Sequence, residues 1–301
     1  MASPNTAVFE DTKCHRYTDQ FDFVTRFPAY TVEHAGTHAT LWHRVGPTAC
    51  RLELVRQEQG VWVRGDLAVA ARIFNRQAPR LLEAGRLPAT PPVHRFLHRR
   101  YGGIRPVLFA DPFEGMAWTI LGQQITVAFA AQMKRTLARR YGRPATEDPS
   151  SGPWVFPGTS VLAAVSVDDL RALQLSRQKA RTLITVARAV EDGRLDLDGL
   201  YTLASDHARE VLTRFQGIGP WTAEYVLLRV FGHPDALPAS DVGIQRAWAR
   251  LMGVGGRSAE AAVREAGSAW EGSRSDFAFA LWLDNLTVRA ADRLQSNDRT
   301  T

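Results

Sequence analysis

Cysteine and lysine are scarce in this chain. Among 301 residues only Cys14 and Cys50 are cysteines, too few for a disulfide framework or a four-cysteine iron–sulfur cluster. Lysine occurs three times, at Lys13, Lys134 and Lys179, so arginine supplies most of the 37 basic side chains. No apolar run is long enough to span a bilayer. Residues 1–20 are polar and lack the charged start and apolar stretch of a secretory signal, which sets a cytoplasmic location as the expectation. The eight histidines show no zinc-ligand spacing. The nearest pair, His34 and His38, falls in a strand-rich or irregular stretch, and no cofactor or catalytic metal is expected.

What is present suits a sizeable core and an anionic partner. Hydrophobic residues make up 45% of the chain, the net charge is +6 and the isoelectric point is near 9.7. At this length two or three domains are expected. The excess positive charge favours a polyanion such as nucleic acid through salt-sensitive attraction. Basic residues cluster at Arg95, Arg99, Arg100 and Arg105, at Lys134, Arg135, Arg139, Arg140 and Arg143, and at Arg177, Lys179 and Arg181. Each cluster taken alone fits a solvated helix face equally well.

The pattern along the chain changes once. Residues 1–90 mix strand-like alternation at 41–45, 50–55 and 61–64 with a helical pattern over 67–83, which reads as a small antiparallel α/β domain. Pro88, Pro91 and Pro92 mark a boundary. Beyond them helical spacing dominates, and the fold class is mainly α with an N-terminal antiparallel α/β domain, α+β overall. Asp111-Pro112 forms a cap and first turn for a helix starting at Phe113. Further helices are expected over 125–140, 160–165, 167–173, 176–191, 205–214, 220–231, 241–252, 258–265 and 273–291, with a Pro/Gly/Ser-rich loop over 142–160.

The segment Leu212 to Phe231 joins two helical patterns through Gly217-Ile218-Gly219-Pro220. Glycines there open backbone angles closed to other residues and allow another molecule close to the main chain. Proline suits the first turn of the following helix. The exposed amides at that helix start, with the positive end of its dipole, can receive a phosphate oxygen. A plain helix connection is the competing reading. Asp241 follows at short range, and capping of the helix beginning at Val242 explains it as readily as chemistry does.

Four segments in order, Phe113-Glu114 through Gln123-Gln124, Ser176 to Ala180, Gly217 to Ala223, and Leu237-Pro238 to Asp241, resemble the helix-hairpin-helix DNA glycosylases. Within them the chain is similar to the alkylbase branch, the 3-methyladenine DNA glycosylase II type. The resemblance spans residues 110–290 and is loose over the first hundred. It implies three domains: 1–90, a hairpin domain at 113–233, and a helical unit of 91–112 with 234–301. It also implies a nucleoid-associated monomer acting on damaged double-stranded DNA, which releases alkylated purines and leaves an abasic site.

The residues implied follow from what base excision requires, which is extrusion of a nucleotide and stabilisation of charge on the sugar as the glycosidic bond breaks. Asp241 is the implied catalytic carboxylate. Trp221, Tyr225 and Trp282 match base-pocket positions, where electron-rich rings suit cationic alkylpurines. Gln124 stands where the family inserts a wedge, which is apolar in the branch prototype. Amides of Gly217, Gly219 and Thr222 are the implied DNA contacts. Carbonyls of Thr213, Phe215 and Ile218 are the implied ligands of a structural monovalent cation. The alternatives are a glycosylase for an oxidised or deaminated base and a non-catalytic hairpin DNA binder.

Trp221 occupies the position of the amine nucleophile in the bifunctional branch, and none of the three lysines lies in the hairpin or beside Asp241. A Schiff base needs such an amine. Borohydride added to the protein with lesion-bearing duplex should therefore trap no covalent adduct; a trapped adduct would overturn the monofunctional reading.

Overall fold

A computed structural model describes residues 6–10, 17–27, 29–45, 48–74, 92–102, 104–148, 150 and 152–298. Strand β1 (Thr6–Glu10), helix α1 (Tyr17–Arg26) and strands β2 (Thr31–Ala35), β3 (His38–Val45), β4 (Thr48–Gln57) and β5 (Gly60–Arg64) precede a short helix α2 (Leu67–Ile73). The strands form one antiparallel sheet in the order β1-β5-β4-β3-β2. Period-two alternation sends Ala39 and Leu41 of β3, Leu52 and Leu54 of β4, and Val61 and Val63 of β5 into the core. Helix α1 covers the sheet with Phe21 and Val24. The sequence pattern extended the α2 helix to residue 83; α2 ends at Ile73, capped at its start by Asp66, and residues 75–91 lie outside the described residues, as does Cys14.

Helix α3 (Pro92–Tyr101) leads into an extended stretch over 104–109, then to α4 (Pro112–Gly122) and α5 (Val127–Tyr141). The loop expected over 142–160 carries a two-residue ribbon, β6 (Arg143–Pro144) paired with β7 (Trp154–Val155). Helices α6 (Thr159–Ala164), α7 (Val167–Ala172), α8 (Arg177–Glu191), α9 (Ser205–Thr213) and α10 (Pro220–Val226) follow, and α10 runs on as one π-helical turn, Leu227–Phe231. The last three helices are α11 (Val242–Leu251), α12 (Glu260–Ser268) and α13 (Arg274–Asp298). Among the described residues no helix is long and apolar enough to cross a membrane.

Helix α4 is the axis of the molecule, with every residue from Phe113 to Leu121 buried. A helix apolar all round must be packed on all sides, and its polar members are paired. Asp111 caps it by accepting the Glu114 amide at 3.1 Å and also takes an ion pair from Arg44 of β3. Glu114 pairs with Lys134 of α5, whose ammonium also donates to the Ala29 carbonyl. Burial pushes the Glu114 carboxyl up, opposed by the adjacent Lys134.

The 104–109 stretch ties the sheet domain to the helices through backbone bonds. Leu108 N–H donates to Ile73 at 2.8 Å and Phe109 N–H to Arg229 at 3.2 Å. Gln20 of α1 adds bonds to the Phe74 and Arg105 carbonyls. At the other end α3 packs on α13, where His94 stacks on Phe277 and accepts from Trp270 Nε1 at 2.9 Å.

Gly115 is where α4 crosses the π-helical turn. A Cβ added there would lie 2.7 Å from Val230 Cγ2 and 2.9 Å from the Phe109 ring. Gly115→Ala should therefore lose about 1–3 kcal/mol of stability by overpacking, although alanine is the better helix former by about 1 kcal/mol. Urea unfolding measures this, and an unchanged or raised midpoint would show that the crossing is looser than these distances.

Candidate active site

Asp241 sits at the junction of three helices. It is the N-cap of α11, with Oδ1 accepting the Gly243 and Ile244 amides at 2.8 and 3.1 Å. Trp282 of α13 donates its indole N–H to the same oxygen at 2.8 Å. Trp221 of α10 donates to Oδ2 at 3.1 Å. All four partners are donors, which matches a carboxylate that only accepts. With three bonds on Oδ1 and one on Oδ2, Oδ2 keeps the larger remaining capacity to accept. Capping and a chemical role thus coexist in one side chain.

Three aromatic rings stand next to this carboxylate. Trp221 and Tyr225 lie 5.5 Å apart on successive turns of α10, and Tyr225 lies 5.1 Å from Trp282. Trp221 and Trp282 are half-buried while Tyr225 is buried. Trp118 of α4 donates to the Tyr225 hydroxyl at 3.3 Å, and burial pushes that hydroxyl up in pKa, so it remains a neutral phenol. The fold therefore gathers Asp241, Trp221, Tyr225 and Trp282 from residues 61 positions apart in sequence.

The hairpin lies beside them, between α9 and α10. Gly217 has φ +92°, and a Cβ there would fall 1.9 Å from Thr182 Oγ1, a hydroxyl that itself donates to the Gln216 carbonyl at 3.2 Å. Gly219 departs from the sequence expectation. Its φ of −85° and ψ of 178° are ordinary extended backbone, and a Cβ there would meet nothing within 4 Å. Its smallness serves no contact inside the chain. Ile218 between them plugs the core. Thr222 is 3% exposed, and its hydroxyl accepts from Gln123 Nε2 at 3.0 Å. The Phe215 carbonyl already accepts the Ile218 amide at 3.0 Å, while Thr213 closes α9.

Gln124 is exposed in the α4–α5 turn and holds φ +56°, a left-handed conformation unusual for glutamine. Val127 and Phe129 are exposed on the adjoining turn of α5. Sequence reasoning missed the neighbour that anchors this turn. Gln123 Nε2 donates to the Gly217 carbonyl at 2.8 Å and to Thr222 Oγ1 at 3.0 Å. Lys179 of α8 holds the same corner by donating to the Leu121 carbonyl at 2.7 Å. Also missed were Trp118, hidden among apolar neighbours, and Arg229, whose signal is an arginine within Val226-Leu-Leu-Arg-Val-Phe. Among the described residues no group of three or more His, Cys, Asp or Glu is placed to hold a metal ion.

Known proteins are similar to this chain in sequence and fold. The family described as HhH-GPD superfamily base excision DNA repair protein matches residues 117–271. The chain belongs to the HhH-GPD superfamily. A DNA-3-methyladenine glycosylase of Bacillus subtilis is 31% identical over 191 residues, 64% of this chain and 63% of that protein. DNA-3-methyladenine glycosylase 2 of Escherichia coli is 31% identical over 221 residues, 72% of this chain and 70% of its own length. The matched region thus spans a little under two thirds of the Bacillus relative. Among solved structures, a 3-methyladenine DNA glycosylase from Archaeoglobus fulgidus superposes with a TM-score of 0.76 at 25% identity, covering 93% of this chain and 98% of that one. Both the hairpin and Asp241 of this HhH-GPD protein fall inside the family match.

The two hairpin glycines should respond differently to alanine. Gly217→Ala forces a left-handed residue against Thr182 and should cost about 1–3 kcal/mol of stability. Gly219→Ala should leave the unfolding midpoint unchanged and weaken duplex DNA binding, measured by fluorescence anisotropy. Equal affinity in Gly219→Ala would remove the hairpin from the DNA interface.

Proposed function

We propose that this HhH-GPD protein is a monofunctional DNA glycosylase that hydrolyses the N-glycosidic bond of alkylated purines, 3-methyladenine and 7-methylguanine, leaving an abasic site. The observation that carries the reading is the Asp241 carboxylate, held by four donors and flanked by Trp221, Tyr225 and Trp282. A clamp that only grips DNA needs none of these side chains.

The roles follow from charge. A base flipped out of the duplex rests against the aromatic group, and the sugar comes to Asp241. As the C–N bond breaks, positive charge grows on the sugar, and a carboxylate fixed beforehand stabilises it without reorganising. Oδ2, the less saturated oxygen, can also accept a proton from the attacking water. Alkylated purines carry their own positive charge and leave as neutral bases, so no separate acid is required. The indole and phenol faces favour such cations by about 0.5–2 kcal/mol when desolvated.

Gln124 takes the place of the extruded nucleotide, its left-handed backbone projecting it from the turn, and its amide can bond the orphaned base. Gly217, Gly219 and Thr222 offer main-chain amides to a phosphate, with Gly219 leaving room for it. The carbonyls of Thr213, Phe215 and Ile218 are hard oxygen donors, the kind a monovalent cation between hairpin and phosphate would take. The protein acts as a cytoplasmic, nucleoid-associated monomer on double-stranded DNA.

The test is release of free 3-methyladenine and 7-methylguanine from methylated duplex, comparing wild type with Asp241→Asn. Wild type should release both bases without strand scission until alkali is added. The variant should lose at least 100-fold in rate (about 2.7 kcal/mol or more) while keeping its DNA affinity. DNA binding without any release by wild type would leave a different lesion or a non-catalytic binder.

A further inference from the structure

Behind the aromatic group lies a buried cation that base excision by Asp241 alone does not explain. Arg229, in the π-helical turn just beyond Tyr225, is 2% exposed. Its Nε donates to the Val107 carbonyl and a terminal nitrogen to the Tyr30 hydroxyl, both at 2.8 Å. Its guanidinium carbon lies 4.9 Å from the Phe23 ring centroid, 5.3 Å from Phe27, 5.5 Å from Phe279 and 6.0 Å from Trp282. Among the described residues no carboxylate pairs with it. A cation in such a place is costly and is held by ring faces and two neutral oxygens. Any apolar side chain of similar length would fill the space more cheaply.

We propose that Arg229 sets the charge preference of the base pocket, acting through its field across Tyr225 and Trp282 rather than by touching the base. The inference rests on the glycosylase reading above. Asp241 marks the sugar end of the bond to be broken and Arg229 lies behind the base end, so the two charges form a field along the glycosidic bond. When that bond breaks heterolytically, its electron pair goes to the base. A cationic alkylpurine becomes neutral, and a neutral purine such as hypoxanthine becomes an anion, to be protonated by solvent. The positive potential from Arg229 favours electron gain by the base in both cases. Its effect before the bond breaks differs, since it repels a cationic base and leaves a neutral one alone.

The consequence separates binding from chemistry. With one ring between base and guanidinium, the separation is roughly 9 Å. A unit charge there is shifted in free energy by enough to change a rate or affinity on the order of tenfold. For a cationic base, the weaker binding and faster chemistry offset each other in kcat/KM. For a neutral base only the faster chemistry remains. Arg229 thus widens the range toward neutral purines, at the expense of affinity for charged ones.

Single-turnover kinetics on duplexes carrying either 7-methylguanine or hypoxanthine test this with Arg229→Met and Arg229→Gln, both neutral, beside Arg229→Lys, which keeps the charge. In the neutral variants, hypoxanthine release should slow about tenfold with unchanged half-saturation. For 7-methylguanine, the maximal rate and the half-saturating concentration should fall together, leaving their ratio near that of wild type. Arg229→Lys should stay close to wild type in both. The ratio between two substrates in one preparation does not depend on the folded fraction, so a destabilised variant still answers. Equal losses on both substrates in the ratio of maximal rate to half-saturating concentration would reduce Arg229 to a structural role and overturn the proposal. Wild type that releases neither base would instead refute the glycosylase reading on which it stands.

Discussion

The Asp241 carboxylate is the point on which the site depends. Its four hydrogen bonds come from α10, the start of α11 and α13, and each partner is held by packing of its own helix. A carboxylate on a helix N-cap is stabilised by two amides and the dipole. The two indoles add direction. Because Trp221 and Trp282 approach from opposite elements, the carboxylate plane is fixed only when the hairpin and the C-terminal helix are both docked. The site is therefore a reporter of the whole tertiary arrangement, with the Trp221 and Trp282 indoles serving as hydrogen-bond donors at the nitrogen edge.

A second constraint couples the two parts that would grip DNA. Gln123 bonds the hairpin at Gly217 and Thr222 while Gln124, the next residue, projects from the same turn in a left-handed conformation. Lys179 pins the end of α4, and Thr182 closes on Gly217. The α4–α5 turn that carries Gln124 and the hairpin are thus parts of one corner, joined by the Gln123 side chain. A left-handed glutamine costs about 1–2 kcal/mol, and the bonds on either side of it hold the strain in place.

Local signals carried the sequence reading far in the helical region. The caps read at Asp111 and Asp241 are both made as side-chain bonds to the first turn. Helix bounds from α5 to α13 fall close to the periodic pattern, apart from the far end of α13. Signals failed where order is non-local. Helices α1 and α3 went unread because their apolar residues are few and their partners lie far along the chain, Phe21 against the sheet and His94 against Trp270 and Phe277. The π-helical turn read as plain helix, since a change of hydrogen-bond register leaves the apolar spacing almost intact.

The sequence by itself determined the class of the protein and the identity of the chemistry-bearing residue types, because hairpin glycines, a proline at a helix start and a capping aspartate act over only a few residues. It also determined the lack of a hairpin amine, a matter of composition alone. The tertiary structure decided which of those residues meet. That Trp221 and Trp282 converge on one carboxylate, that Gly219 rather than Gly217 leaves open space, that Gln123 braces the hairpin and that Arg229 lies caged behind the rings all depend on helices packing across long separations. No local pattern encodes such distances, since hydrogen bonds and ring contacts between distant segments form only once the core has fixed where those segments lie.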